Sequence, residues 1–156
     1  MKNEIEISMA SQFDAVTVGG FIFELLQELY PEMGSMYEKE HLIRVSQQLL
    51  KENSGVWAFL ASTGTGERVG VLTLNECAAI YAGGYFGEIT ELYVIREYRS
   101  SKVGAALVDA AAEFGRKRGW ANIEVGAPDV PRWERTLVFY IRHGFKEVGP
   151  RLDLTL

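Results

Sequence analysis

The chain has 156 residues, 47% of them hydrophobic and 24% charged, with a formal net charge of −5. That length suits one domain, residues 1–156, with room for a real core, and the composition is that of an ordinary soluble protein. The acidic balance argues against a nucleic-acid backbone as the main partner, which calls for a basic footprint, and no apolar run approaches the roughly 18 residues of a membrane span.

Cys77 is the only cysteine. It excludes an intramolecular disulfide and fits a reducing compartment. The opening residues, MKNEIEISMA, lack the apolar h-region of a signal peptide. The expected location is therefore cytoplasmic. Within NECAAI, Cys77 reads as a small core or strand-end residue, with no His nearby in sequence to activate it.

In chain order, Ile5 and Ile7 alternate with polar residues over Glu4–Met9, which predicts a short strand. Over Phe13–Tyr30 the residues Val18, Phe21, Ile22, Leu25 and Leu29 recur near helical spacing, and Pro31 ends that helix. Gly19 and Gly20 weaken it by about 1 kcal/mol each, so they imply close packing, a bend, or room for a substrate. A loop with Gly34 leads to a second helix, Glu40–Glu52, with Leu42, Val45 and Leu49 on one side. VWAFLAS (56–62) and RVGVLTL (68–74) read as strands. The glycine-rich TGTGE between them is followed by no helix, so it predicts a hairpin turn rather than a phosphate cradle. After a turn at Gly83–Gly84, EITELYVI (88–95) is rich in β-branched and aromatic residues and predicts a further strand.

REYRSSKVGAAL (96–107) then opens a strong helix with Val103, Leu107, Ala110 and Phe114 on one face. Arg116, Lys117 and Arg118 suit its negative C-terminal end, and Gly119 caps it. ANIEVGA (121–127) is the next strand. Asp129 and Pro131 start a last helix that ends at His143–Gly144, and Phe145–Val148 and Leu152–Leu156 read as final short strands. The order β-α-α-β-β-β-α-β-α-β-β predicts a mixed α/β fold: an antiparallel meander, then a strand–helix–strand unit that makes a parallel pair.

The loop before the third helix has chemistry of its own. A helix beginning near Ser101–Val103 exposes unpaired N–H groups at the positive end of its dipole, an anion site by construction. Gly104 permits close approach to the first turn. Arg99 adds a fork of donors, and Ser100 and Ser101 can cap the helix or bond an oxygen. A capped helix with a solvated arginine explains the same residues equally well.

Two further features point one way. The strand before the loop ends in ELYV, and FYIRHGF closes the last helix. With these motifs, and with its element order over nearly the whole chain, the sequence resembles the GNAT superfamily of acyl-CoA-dependent N-acetyltransferases. The resemblance implies a central, mostly antiparallel mixed sheet with one splayed parallel pair, flanked by four helices. It implies acetyl-CoA as co-substrate, with no metal. The family's loop, Arg/Gln-x-x-Gly-x-Gly/Ala, holds pyrophosphate by backbone amides. Here it maps to Arg99, Ser100, Ser101, Lys102, Val103 and Gly104, with Ala105 next. The family's Phe-Tyr-x-x-x-Gly-Phe is matched by Phe139, Tyr140, Gly144 and Phe145.

Three positions depart from the pattern. Lys102 replaces the first loop glycine. If that position needs positive φ, lysine costs about 1 kcal/mol or more; if it is helical, lysine fits and adds charge beside a phosphate. The helical alternative is the expectation here, because the donors are backbone groups. Trp133 stands where many members carry an Asn that bonds the cofactor arm, and Thr136 where Ala is usual.

By resemblance, Tyr140 gives a proton to the departing thiolate; alone it would read as a core residue. A backbone N–H at Tyr93 or Val94 stabilises the oxyanion, and Leu92–Val94 with the end of ANIEVGA bind the pantetheine arm. Glu91, ahead of Glu88, is the candidate base, although strand alternation puts the two on opposite faces unless a bulge intervenes. His41 and His143 are weaker candidates. The acceptor site falls at Phe23–Glu40, where Tyr30, Glu32, Tyr37 and Glu38 suit a cation or form a solvated loop. The expected acceptor is a primary amine of a small molecule or peptide. A non-catalytic acyl-CoA-binding module and a toxin-like acetyltransferase acting on charged tRNA are the alternatives. A Rossmann domain fits poorly, because no full G-x-G-x-x-G follows a strand. Dimers are frequent in the family, so a homodimer stays open.

Overall fold

In the computed structural model, residues 4–33, 37–126 and 132–156 are described. Two compact units make up the chain, Met1–Glu124 and Val125–Leu156. The elements are β1 (Ile5–Met9), α1 (Ala15–Leu29), α2 (Lys39–Leu49), β2 (Val56–Thr63), β3 (Arg68–Ala79), β4 (Gly84–Val94), α3 (Val103–Arg118), β5 (Ile123–Val125) and α4 (Glu134–Arg142). The strands form one sheet in the order β1-β2-β3-β4-β5. The pairs β1–β2, β2–β3 and β3–β4 are antiparallel, and β5 pairs parallel with β4. Ala121 N–H donates to Tyr85 O (3.2 Å) and Gly87 N–H to Asn122 O (3.0 Å), so the chain enters β5 already bonded to β4.

The sheet has a distinct core on each face. On one, Val18 and Ile22 of α1 pack with Ala58, Leu60, Val71 and Tyr93, and Phe21, Leu25 and Leu42 close over them. α1 lies close against α2: a Cβ on Gly19 would stand 2.8 Å from the Ile43 backbone, whereas one on Gly20 would meet only the end of Lys39 at 3.6 Å. Of the readings open for the two glycines, close packing holds at Gly19. Ser11 starts the approach to α1 with a capping box: its hydroxyl accepts from Phe13 N–H at 3.2 Å, and Asp14 accepts from Ser11 N–H at 2.9 Å. On α2, Leu49 is exposed rather than packed, and Leu50 joins the core instead.

On the other face, α3 buries Val103, Leu107, Val108 and Ala111. Burying a side chain such as Leu107, fully enclosed here, contributes about 1.5–3 kcal/mol. Phe114 meets Trp57, Phe59 and Trp120 at ring distances of 4.9, 5.6 and 5.5 Å. Gly87 is required here: a Cβ would fall 2.3 Å from the Trp120 ring. Glu76 accepts from Trp120 Nε1 (2.6 Å) and Arg118 Nε (2.9 Å), which ties the end of α3 to β3. Gly119 adopts φ 78° and caps α3 as its sequence predicts.

In the second unit, α4 ends at Arg142, with His143 as its C-cap and Gly144 next at φ 96°. The expected start of this helix at Asp129–Pro131 lies outside the described residues. The strands expected at Phe145–Val148 and Leu152–Leu156 do not form. Val148, Leu152 and Leu154 are 74–95% exposed. Alternating apolar residues make a strand only where a ladder and a covering layer exist, and here they have neither.

Candidate active site

β4 carries the sheet's irregularity. Thr73 of β3 pairs with Glu91, but its neighbour Leu74 pairs with Ile89, so Thr90 is an extra residue, a β-bulge. The bulge resets side-chain parity. Glu88 stands opposite Asn75 and Glu91 opposite Thr73. Asn75 and Thr73 are two residues apart on one strand, hence on one face, and cross-strand partners share a face. Glu88 and Glu91 therefore lie together on the α1 face, the face of Val71 and Tyr93. The bulge that the sequence left open does intervene.

Both carboxylates have partners. The Thr73 hydroxyl bonds Glu91 Oε2, Thr90 Oγ1 reaches the same oxygen at 2.7 Å, and Glu91 N–H donates to Thr73 Oγ1 at 3.0 Å. Glu88 Oε2 lies 3.9 Å from Cys77 Sγ, which accepts from Asn75 Nδ2 at 3.3 Å. The Asn75 side-chain oxygen is buried with no hydrogen-bond partner among the described residues. Cys77 is a half-buried strand residue beside this carboxylate.

Past the bulge, the ladder decides where the backbone points. Ile95 N–H donates to Val69 O at 2.9 Å. Bonded pairs alternate along an antiparallel ladder, so Tyr93, opposite Val71, turns its N–H toward β3. Leu92 and Val94 turn theirs away from β3, to the side on which β5 lies. Of the two N–H groups expected to be available, only that of Val94 points outward.

A 3-10 turn, Arg96–Tyr98, leads to the loop and α3. Lys102 is the helix N-cap at φ 62°, ψ 18°, in the left-handed region. This corrects the expectation that the position is helical: the turn needs the conformation that glycine adopts freely, and lysine pays for it. The turn still forms, and Lys102 O accepts from Ala106 N–H at 3.0 Å. Val103 is fully buried, so only its backbone is offered to a ligand. A cavity of about 410 Å³ opens here, lined by Ile5, Ser100, Ser101, Lys102 and Ala106. The first N–H groups of α3, at Val103, Gly104 and Ala105, have no intrahelical acceptors. A cavity at a helix N-terminus with two hydroxyls and an ammonium fits a pyrophosphate group. Arg99 is already engaged: Nε bonds Val94 O, and Nη2 bonds Glu28.

Tyr30 caps α1 and Glu32 sits in the 3-10 turn Pro31–Met33; both are exposed, and Tyr37 is half-buried. Gly34 lies outside the described residues. His41 is exposed on α2. In the second unit, Tyr140 is buried, with Phe139 and Phe145 edge-on at 5.3 Å each. Burial pushes its phenol up to about 12. Trp133 precedes α4 under the Arg132 guanidinium at 5.3 Å, and His143 caps α4 beside Phe139. The residues that sequence reasoning missed are Thr73, Asn75 and Glu28. Their partners are distant in the chain, so no local pattern marks them.

The acetyltransferase (GNAT) family profile matches residues 21–145, and the chain belongs to that family. It is 32% identical over 82 residues to an aminoalkylphosphonate N-acetyltransferase of Salmonella typhimurium, a match covering 53% of this chain and 52% of that one. The matched segment is thus about half the length of this relative. The fold is similar to that of a ribosomal-protein-alanine N-acetyltransferase from Brucella melitensis (TM-score 0.76, 18% identity, 98% of this chain and 99% of the other). It is also similar to that of an aminoglycoside N-acetyltransferase in complex with CoA (TM-score 0.76, 13% identity, 98% and 95%).

Proposed function

We propose that the chain moves an acetyl group from acetyl-CoA to a primary amine of a small molecule or peptide, by direct attack of the amine on the thioester. The observation that carries this reading is the stretch Glu88–Ala105. A bulged strand presents two carboxylates on one face, turns the Val94 N–H outward, and leads to a helix N-terminus opening on a cavity. Members of the family use acetyl-CoA.

Backbone N–H groups of Val103, Gly104 and Ala105, with Ser100, Ser101 and Lys102, hold the pyrophosphate. The outward backbone of Leu92 bonds the pantetheine arm. The Val94 N–H donates to the thioester oxygen as it gains charge, which stabilises the transition state more than the ground state. Glu91, held by Thr73 and Thr90, takes a proton from the attacking ammonium, and Glu88 adds negative charge beside it. Tyr140 donates the proton that the departing thiolate needs; its raised pKa keeps the phenol protonated at neutral pH. Tyr30, Glu32 and Tyr37 surround the acceptor. The relative named for aminoalkylphosphonates and the neighbour named for aminoglycosides both support an amine-bearing small molecule. The lone Cys77 accords with a cytoplasmic location.

The test is CoA release from acetyl-CoA with an aminoalkylphosphonate, an aminoglycoside and a peptide with N-terminal alanine. Amine-dependent release with at least one supports the reading. CoA binding with no release by any of them, or by a wider amine panel, would leave a non-catalytic binding module and end the enzyme reading.

A further inference from the structure

By resemblance Arg99 falls in the loop that holds pyrophosphate, yet its guanidinium faces elsewhere. Nη2 donates to both oxygens of Glu28, at 2.7 and 2.9 Å. Nε donates to Val94 O at 2.8 Å, and the guanidinium lies 5.5 Å over the Tyr93 ring. Arg96 adds a second cation 4.0 Å from the same carboxylate. Glu28 belongs to the last turn of α1, so one carboxylate joins α1, the end of β4 and the loop that precedes α3.

We propose that Glu28 is a positioning residue: through Arg99 it clamps the Val94 carbonyl and so steadies the end of β4, where the ladder turns the Val94 N–H outward. Arg99 then serves the strand rather than the phosphate. The geometry supports this in three ways. The Val94 carbonyl has its donor on the side away from β3, where the ladder supplies none. That donor belongs to a planar group whose orientation is fixed by a carboxylate on one edge and an aromatic face below. The Glu28 side chain is 26% exposed against 40% for Arg99, so the carboxylate is the more shielded end of the pair. Because α1 runs directly into Tyr30 and Glu32, the same clamp fixes where the acceptor segment begins. The inference rests on the oxyanion role given to Val94 above.

The test uses the full chain with Glu28→Gln and Arg99→Gln, in two measurements that need no acceptor. CoA affinity is read by titration calorimetry, and the Val94 amide by ¹⁵N–¹H NMR, with and without acetyl-CoA. The clamp predicts that both variants bind CoA within about threefold of the unsubstituted protein. It also predicts that the Val94 resonance moves in both ligand-free variants, while those of Val103–Ala105 stay in place. A loss of CoA affinity of tenfold or more in Arg99→Gln alone would make Arg99 a phosphate ligand and overturn the proposal. An unmoved Val94 resonance in Glu28→Gln would overturn it as well. Should the unsubstituted protein bind no CoA, the acetyl-transfer reading fails instead, and the ligand-free Val94 resonance still decides the clamp.

Discussion

Thr73 of β3 stands opposite Glu91 of β4, and its hydroxyl bonds the same carboxylate oxygen that Thr90 reaches at 2.7 Å. One oxygen of Glu91 is thus held while the other has no hydrogen-bond partner among the described residues. Glu91→Gln keeps the shape and removes the base. It should lower kcat by about 100- to 10,000-fold, with a small change in acetyl-CoA affinity. Steady-state kinetics with the acceptor found in the amine screen checks this. If Glu88→Gln shows that fall and Glu91→Gln does not, the roles are exchanged.

Lys102 carries a glycine's backbone angles at φ 62°. Lys102→Gly should relieve about 1 kcal/mol of backbone cost and raise Tm by about 2–4 °C. It should also weaken CoA binding, because the ammonium beside the cavity is lost. Calorimetric melting and CoA titration separate the two effects. A lower Tm would mean that the lysine side chain supports the turn by packing.

Gly19 and Gly20 are neighbours with opposite expectations. Gly19→Ala drives a Cβ into the Ile43 backbone at 2.8 Å and should cost about 1–3 kcal/mol. Gly20→Ala meets only a flexible lysine end at 3.6 Å and should stabilise the helix by about 0.5–1 kcal/mol. Urea unfolding of the two variants tests the close packing of α1 on α2. Equal effects would contradict it.

Glu76 accepts from Arg118 and Trp120, and these bonds, Arg118's first, hold its carboxyl below the ordinary 4.5. A lowered folded pKa contributes stability that is present above the unfolded value and lost as pH falls through the folded one. Tm should therefore drop in acid below pH 4.5, and Glu76→Gln should flatten part of that drop. Identical acid profiles would remove Glu76 from the account.

Tyr140 has the opposite sign. Its phenol is pushed up to about 12 from an ordinary 10.0, by burial. The stability of keeping it neutral is complete below pH 10 and is lost as pH rises from 10 toward 12. Tyr140→Phe should remove that alkaline loss and lower kcat at least about tenfold. Unchanged turnover would end its role as the acid.

Much of the fold was legible because its elements announce themselves locally. The Val18–Ile22 stripe, the α3 face at Val103 and Leu107, and the Gly119 cap follow from spacing and end chemistry. The C-terminal strands were misread because alternation at Leu152 and Leu154 specifies a face, not a partner. In the site, the loop and the tyrosine came from motifs. The bulge did not: whether Glu88 and Glu91 share a face depends on pairing with Thr73 and Asn75, which alternation along β4 alone cannot reveal. Lys102 was misjudged for a related reason. The expectation of a helical residue rested on the donors being backbone groups, whereas the path from Tyr98 into α3 imposes the left-handed conformation.

The central claim is that the loop before α3 holds the pyrophosphate of acetyl-CoA. Thermal unfolding with acetyl-CoA, CoA and NADH at matched concentrations tests it most directly. A ligand at 100 times its Kd stabilises by about 2.7 kcal/mol, a rise in Tm of roughly 5–10 °C for a domain of this size. The account predicts that rise with both CoA species and none with NADH. No shift at millimolar acetyl-CoA would contradict it.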